Sequence, residues 1–339
     1  MDIIYILIGI LLLGVLVILH EFAHFIMAKF NGVKVEEFAV GMGPQIASIK
    51  GKETMYSVRI LPIGGYVRML GEEEQSIEEG SFSSKSPLRK LSIVAAGPFM
   101  NLVIAIILFA IIGFSVGFPT TVINEVQQSS PAYEAGIQND DKIIKINDNK
   151  VTSWDDISAA ITLNEGEQME VMLLRDDEEL SLKLTPLFSN EAGRYLIGIT
   201  PVYEENPNFF SSVTYGVKQA VSITNQTFSS LGRIFKGEAS KDEVGGPVTI
   251  IRVTGKAAEA GIISLLYLGA FISMSFAIFN ILPIPALDGG WIALFLIQLI
   301  TRKDVDQKYV AIINTIGFSF LLFLMVLVTI KDILFPVQF

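Results

Sequence analysis

The chain of 339 residues has no cysteine and only two histidines. Without cysteine there is no disulfide framework, no thiolate metal site and no thiol nucleophile. Charge is scarce as well. Charged residues make up 18% of the chain and hydrophobic residues 51%, whereas a soluble domain carries about a quarter charged residues. This balance excludes a disordered chain and points to a membrane protein. Basic residues are in the minority, with 25 Lys and Arg against 35 Asp and Glu, for a net charge of −10. So acidic a chain does not seek phosphates, and no nucleic-acid partner is expected.

What is abundant is apolar sequence. Long apolar runs cover Ile3–Phe30, Leu91–Phe118, Ile262–Ile300 and Val310–Leu334. Each reaches the roughly 20 residues that cross about 30 Å of hydrocarbon. The first run has no basic start and no small-residue cleavage site after it, so it reads as a span and not a signal peptide. Lys34, Lys50, Lys52, Arg59, Arg68, Lys85, Arg89 and Lys90 cluster after the first run, with Lys29 just before its end, and Arg302 and Lys303 follow the third. The positive-inside rule puts both groups in the cytoplasm. Both termini and residues 118–261 are then expected outside, with the chain multi-pass in a membrane.

The expected organisation has a first transmembrane helix over 1–29, a cytoplasmic loop over 30–90 and a second span over 91–118. A small domain follows over 119–202, then a juxtamembrane region over 203–261. A broken third span (262–300), a short loop (301–309) and a fourth span (310–334) complete it. In the first loop, "ETMYSVRILPIGGYVRML" is rich in strand formers and interrupted by Pro62 and Gly64-Gly65. It reads as a β-hairpin or kinked strand pair, the alternative being an ordinary loop with some strand content. The acidic run from Glu72 to Glu74, with Glu78 and Glu79, reads as a solvated turn.

Within 119–202, "TTVINEV", "KIIKI", "MEVMLLRDDEELSLKL" and "RYLIGI" read as strands, and Ser153 caps a short helix over "SWDDISAAI". Further on, Phe210, Val213, Val217, Val221, Phe228 and Leu231 share one helical face. That stripe predicts an amphipathic helix lying on the membrane or packed on the small domain.

The chemistry-bearing string is His20-Glu21-Phe22-Ala23-His24, inside the first run. Positions i and i+4 share a helix face, so two imidazoles can grip one zinc ion, with the glutamate beside them as general base. Zinc acidifies a water enough for it to ionise at neutral pH. Polar groups this deep in a span are costly and functional by default, the alternative being a polar contact between spans. A catalytic zinc site takes three protein ligands. With no third histidine, the remaining ligand is a carboxylate or a weaker group.

Asp288 is the one acidic residue in the third run, in "NILPIPALDGG". Pro283 and Pro285 break the helix there, and broken backbone at membrane depth must line a protected or wet cavity. Depths agree: at 1.5 Å per residue, His20 lies roughly 25 Å along its span and Leu282 roughly 30 Å along the third.

These features together resemble the site-2 protease family and, within it, the RseP/RasP-like zinc metalloproteases. The resemblance rests on HEFAH in a first span, Asn280-x-x-Pro283-x-Pro285-x-Leu287-Asp288-Gly289-Gly290 in the third, and a domain inserted after the second. That domain resembles a permuted bacterial PDZ domain through Pro131, Ala135, Gly136 and Ile137, followed by Asp141, Ile143, Ile144 and Ile146. "AAGPFMN" (Ala95–Asn101) and "VGGPV" (Val244–Val248) match as well.

The resemblance implies a polytopic α-helical protein with four transmembrane helices, an extracytoplasmic PDZ-like α/β insert and a membrane-associated β-hairpin. It implies zinc on His20, His24 and Asp288, with Glu21 as catalytic acid/base. Asn280 would hold substrate or the developing oxyanion, or else cap the broken helix. Pro62, Gly64, Gly65 and Tyr66 would pair with unwound substrate. Tyr195, Leu196, Ile197, Gly198 and Ile199 would form a loop that binds a chain terminus, unless the domain has no peptide ligand. Many relatives carry a histidine where this chain has Trp291, and the chain has room for one PDZ-like domain.

The implied activity is regulated intramembrane proteolysis of single-span substrates, anti-sigma factors or signal-peptide remnants, after a site-1 protease has cut. A non-enzymatic membrane adaptor is the rival reading. Transport is the weaker third, since there is no inverted repeat and no paired acidic relay.

Overall fold

The computed structural model describes residues 3–72, 78–237, 245–303 and 305–335. Glu73 and Glu74 of the acidic turn, and Val244, lie outside the described residues. The chain divides into two compact units, residues 1–105 with 238–339, and residues 106–237. The first elements are α1 (Ile3–Phe30), β1 (Val35–Lys50), β2 (Met55–Met69) and α2 (Pro87–Val116). Then come β3 (Phe118–Val126), α3 (Pro131–Glu134), β4 (Lys142–Ile146), β5 (Asn149–Lys150), α4 (Trp154–Leu163), β6 (Met169–Arg175) and β7 (Glu178–Leu184). They are followed by β8 (Leu187–Ser189), β9 (Arg194–Leu196), β10 (Ile199–Glu204) and α5 (Phe209–Lys236). The last are α6 (Pro247–Ala260), α7 (Ile262–Ile281), α8 (Asp288–Thr301) and α9 (Gln307–Leu334).

Among the described residues, four helices are long and apolar enough to cross a membrane, over Ile4–Phe30, Pro87–Val116, Ile262–Ile281 and Lys308–Leu334. The third apolar run is therefore a complete span, α7, followed by a separate helix. At 14 residues, α8 is about 21 Å long and too short to cross. Pro283 and Pro285 have no N–H to continue α7, and Ala286 adopts a positive φ of 72° between the two helices.

In the unit that holds α1, the hairpin folds over on itself. The first half of β1 pairs on one side with residues 61–69 of β2 (Ala39 with Tyr66) and on the other with residues 55–58 (Ala39 with Ser57). The second half of β1 then pairs with residues 55–59 of β2 (Ala47 with Val58). Two bent strands thus give four strand segments, and residues 61–69 form one edge. Glu37, buried on β1, fastens the fold-over. It accepts from Ser57 at 2.6 Å and Arg59 at 2.7 Å on one half of β2, while Arg68 of the other half stands 3.3 Å away.

Helix α6 crosses α1 closely, because Gly9 leaves room for Thr254. The carboxylate of Asp332, near the end of α9, accepts the backbone N–H groups of Gly246 and Thr249 at 2.9 Å each. A charge from a distant helix thereby caps α6.

In the other unit, the sheet order is β10-β3-β4-β6-β7, with β5 on β4 and β8-β9 as a separate hairpin. Ile123, Ile143, Ile146, Ile157, Ile161, Val171 and Leu173 supply its buried core with the two short helices. This is the small α/β insert that the strand and cap pattern predicts, the one the resemblance implies is PDZ-like. Buried Asp141 receives Arg175 in a two-pronged pair, 2.7 Å at each oxygen. Ser153 and Asp156 form a capping box at the start of α4. Asp156 also accepts from Thr152, Ser222 and Gln226, which ties this cap to α5.

Of the two alternatives for the apolar stripe, the insert does not take it: helix α5 packs on the insert with its opposite face. Ser212, Tyr215, Gly216, Gln219, Ala220, Ser222 and Ile223 are buried, while Phe210, Val217, Val221 and Phe228 are exposed. The reason is close approach. A Cβ on Gly216 would lie 2.5 Å from the backbone oxygen of Ile106, and the buried hydroxyls and amide find polar partners on α4. Small and polar residues make helix contacts in membrane proteins, where lipid accepts the apolar face.

Candidate metal centre

The helical period of α1 sets His20 and His24 one turn apart, both buried. Their rings stand edge to face, with centroids 4.8 Å apart, and the two Nε2 atoms are 3.2 Å apart. Asp288 opens α8, and its Oδ2 lies 3.1 Å from His20 Nε2 and 3.4 Å from His24 Nε2. Three potential ligand atoms from helices far apart in sequence thus converge. Ligand atoms 2.0–2.2 Å from one tetrahedral zinc ion stand roughly 3.3–3.6 Å from each other. The observed edges of 3.1–3.4 Å come within a few tenths of an ångström of that range.

The donor chemistry agrees. His24 Nδ1 donates to the Ile93 backbone oxygen at 2.9 Å, so the neutral ring presents a lone pair at Nε2. Asp288 Oδ2 is buried with no hydrogen-bond partner. One proton shared between the two Nε2 atoms would still leave Asp288 Oδ2 unpaired, whereas a cation between the three atoms satisfies all of them. Gly97 on α2 leaves the room: a Cβ there would lie 2.3 Å from His24 Nε2 and 2.6 Å from His20 Nε2. These residues fit a zinc ion.

Glu21 is half-buried on the same helix, beside the edge segment of the hairpin. A Cβ on Gly65 would lie 3.6 Å from Glu21 Cγ, and one on Gly14 would lie 2.9 Å from the Pro62 oxygen. The strand from Pro62 through Tyr66 therefore runs along α1 to the acid/base candidate.

The break before Asp288 is braced from α9. Asn314 Oδ1 accepts the Ala286 N–H at 3.3 Å, and Gly317 leaves space for Pro285. Gly289 is equally obligatory, since a Cβ there would lie 1.8 Å from the Leu282 oxygen. Asn280 sits half-buried one residue before the end of α7, and no side-chain hydrogen bond holds it among the described residues. Trp291 stacks on Phe295, 5.8 Å between centroids, in an apolar cluster with Ile93. In the PDZ-like insert, Tyr195 and Leu196 end β9, Ile197 and Gly198 form the bend, and Ile199 begins β10. Sequence reading singled out the segments of Gly97 and Asn101 without a role, and Asn314 and Gly317 not at all. Their partners are remote in sequence, so no local spacing announces them.

The pattern of Peptidase family M50 matches residues 8–324. A candidate zinc metalloprotease of Clostridium acetobutylicum is 48% identical over 334 residues, covering 98% of each chain. The zinc metalloprotease RasP of Bacillus licheniformis is 30% identical over 410 aligned positions, covering 96% of this chain and 97% of its own. The regulator of sigma-W protease RasP of Bacillus subtilis is 29% identical, with the same coverages. Among solved structures, the PDZ domain of an SdrC-like protein from Listeria monocytogenes aligns at 20% identity and a TM-score of 0.23, over 26% of this chain and 93% of that one. With its family pattern, its apolar helices and a zinc-sized donor triangle, the chain belongs to peptidase family M50 and is a multi-pass, RasP-like intramembrane zinc metalloprotease.

Proposed function

We propose that His20, His24 and Asp288 hold the zinc ion and that Glu21 is the acid/base of peptide-bond hydrolysis in single-span membrane substrates. The observation that carries this reading is the triangle of His20 Nε2, His24 Nε2 and Asp288 Oδ2, with edges of 3.1–3.4 Å. Bound there, zinc supplies Lewis acidity for an attacking water and a substrate carbonyl. Glu21 takes a proton from the attacking water and passes one to the leaving amine. Asn280 helps hold the substrate near the break between α7 and α8.

A helical substrate hides its carbonyls in hydrogen bonds, so it must unwind before it can be cut. Pro62, Gly64, Gly65 and Tyr66 offer a route. They lie on an edge segment beside Glu21, and an unwound substrate strand can add to such an edge. The loop from Tyr195 to Ile199 leads into β10, also an edge strand. It is the place where the PDZ-like insert would bind a chain terminus left by a site-1 protease.

The sigma-W role in a relative's name supports anti-sigma factors as substrates, with signal-peptide remnants as the second class. The lysine and arginine distribution supports both termini and the insert on the outer side of a bacterial cell membrane. The test is zinc content alongside cleavage in a reconstituted assay. The parent should hold one zinc per chain, and alanine at His20, His24 or Asp288 should lose it. Glu21→Gln should keep zinc and stop cleavage. Parent-rate turnover by Glu21→Gln would remove that residue from the mechanism.

A further inference from the structure

Asn101 is the last residue of the segment Ala95–Asn101 on α2. It is fully buried, with its Nδ2 atom 2.9 Å from His20 Nδ1. Its Oδ1 is buried without a hydrogen-bond partner. The two ends of an amide look alike in shape, so the surrounding network decides its orientation. Either orientation leaves one end of this amide unpaired, so the choice falls to the other ring nitrogen of His20.

If the amide N–H donates to Nδ1, the neutral ring carries its proton on Nε2. That proton can be shared with His24 Nε2, 3.2 Å away, which satisfies a metal-free pair, but a protonated Nε2 cannot ligate zinc. It does not rescue Asp288 either, whose Oδ2 still lacks a hydrogen bond. If the amide oxygen accepts from Nδ1–H, the Nε2 lone pair joins the other two donors. Only the second orientation is compatible with zinc.

The placement supports the same conclusion. Ile93, Gly97 and Asn101 follow at i, i+4 and i+8 on one face of α2. Ile93 holds His24, Gly97 clears the centre, and Asn101 reaches His20. The Asn101 backbone is itself fixed, because buried Ser273 on α7 donates to its carbonyl at 2.8 Å. Zinc-bound histidines are normally oriented by a carboxylate, a backbone carbonyl or water on the second nitrogen. A neutral amide does this inside a membrane without adding a buried charge.

We propose that Asn101 is a positioning residue whose amide oxygen accepts the Nδ1–H of His20 and fixes the tautomer that presents Nε2 to zinc. This rests on His20 being a ligand. The chain has no other histidines than His20 and His24, so histidine-selective nitrogen labelling of the full chain reports these two rings alone. In the zinc-loaded parent, the nitrogen spectrum should show His20 Nδ1 protonated in a hydrogen bond. Asn101→Leu should lose that signature and bind zinc about 10–100-fold more weakly against a competing chelator. Asn101→Asp, which keeps an acceptor in place, should restore both.

Parent zinc affinity in Asn101→Leu, or an unchanged His20 spectrum, would overturn the proposal. So would equal zinc loss in both variants with equal drops in the melting point of the metal-free protein, which would make Asn101 a packing residue. Parent affinity in His20→Ala would instead sink the ligand reading itself, so the two failures are separable.

Discussion

Gly97 of α2 and His24 of α1 approach so closely that a single Cβ on the glycine would lie 2.3 Å from the imidazole Nε2. Glycine inside a helix costs up to about 1 kcal/mol relative to alanine, so Gly97→Ala should leave the helix intact or firmer. It should nevertheless empty the site. The expected result is a folded protein with less than a tenth of the parent zinc by elemental analysis. Full zinc occupancy would mean that the two helices separate more easily than this contact allows.

A second expectation concerns the hairpin. Gly64 has a φ of +83°, a conformation that costs a side-chain-bearing residue about 1–2 kcal/mol. Gly64→Val should distort the edge segment beside Glu21 while leaving zinc content at the parent level. Cleavage of a helical substrate should slow about tenfold, the kinetic equivalent of one or two lost hydrogen bonds. A substrate loosened in advance by glycine and proline should slow less. Equal slowing of both would argue against strand pairing.

The break before Asp288 offers a third test. Asn314→Leu removes the acceptor of the Ala286 N–H and leaves a half-buried donor unpaired, a loss of about 1–3 kcal/mol. Because Asp288 follows two residues later, zinc should be held more weakly, and cleavage should fall with it. Chelator competition on the purified chain reads the first effect. Undiminished zinc affinity would show that the break holds its shape without α9.

The PDZ-like insert predicts a pH dependence. Burial pushes the Asp156 carboxyl up, but hydrogen bonds from Ser222, Thr152 and Gln226 outweigh it and leave the group below its ordinary value. A carboxylate lowered in this way stabilises the fold above its unfolded value, about 3.9. That contribution disappears as pH falls through the lower folded value. Asp156→Asn should therefore cost about 1–2 kcal/mol at pH 7, the usual worth of a helix cap. The difference in melting point from the parent should shrink below about pH 4. A constant difference down to pH 2 would mean that the charge is not what stabilises this cap.

Much of the site was legible in the sequence, for a local reason. His20 and His24 share a face because helices turn every 3.6 residues, and the prolines before Asp288 forbid a continuous helix wherever they are placed. The α5 stripe left its partner open, membrane or insert, for an equally physical reason. Hydrophobic periodicity says which face avoids water, but beside a bilayer lipid can take that face, and the small, polar side then makes the protein contact.

The amino-acid order by itself determined the four apolar spans, the paired imidazoles with their neighbouring glutamate, and the break that frees Asp288. Those features depend on near neighbours along the chain. Tertiary structure alone decided that Asp288 reaches His20, that Gly97 clears the space beside the two imidazoles, and that Asn101 and Asn314 brace the two halves of the centre. Each of these is a contact between helices remote in sequence. Local periodicity sets the direction in which a side chain points, while the distance to its partner is set by how closely the backbones pack.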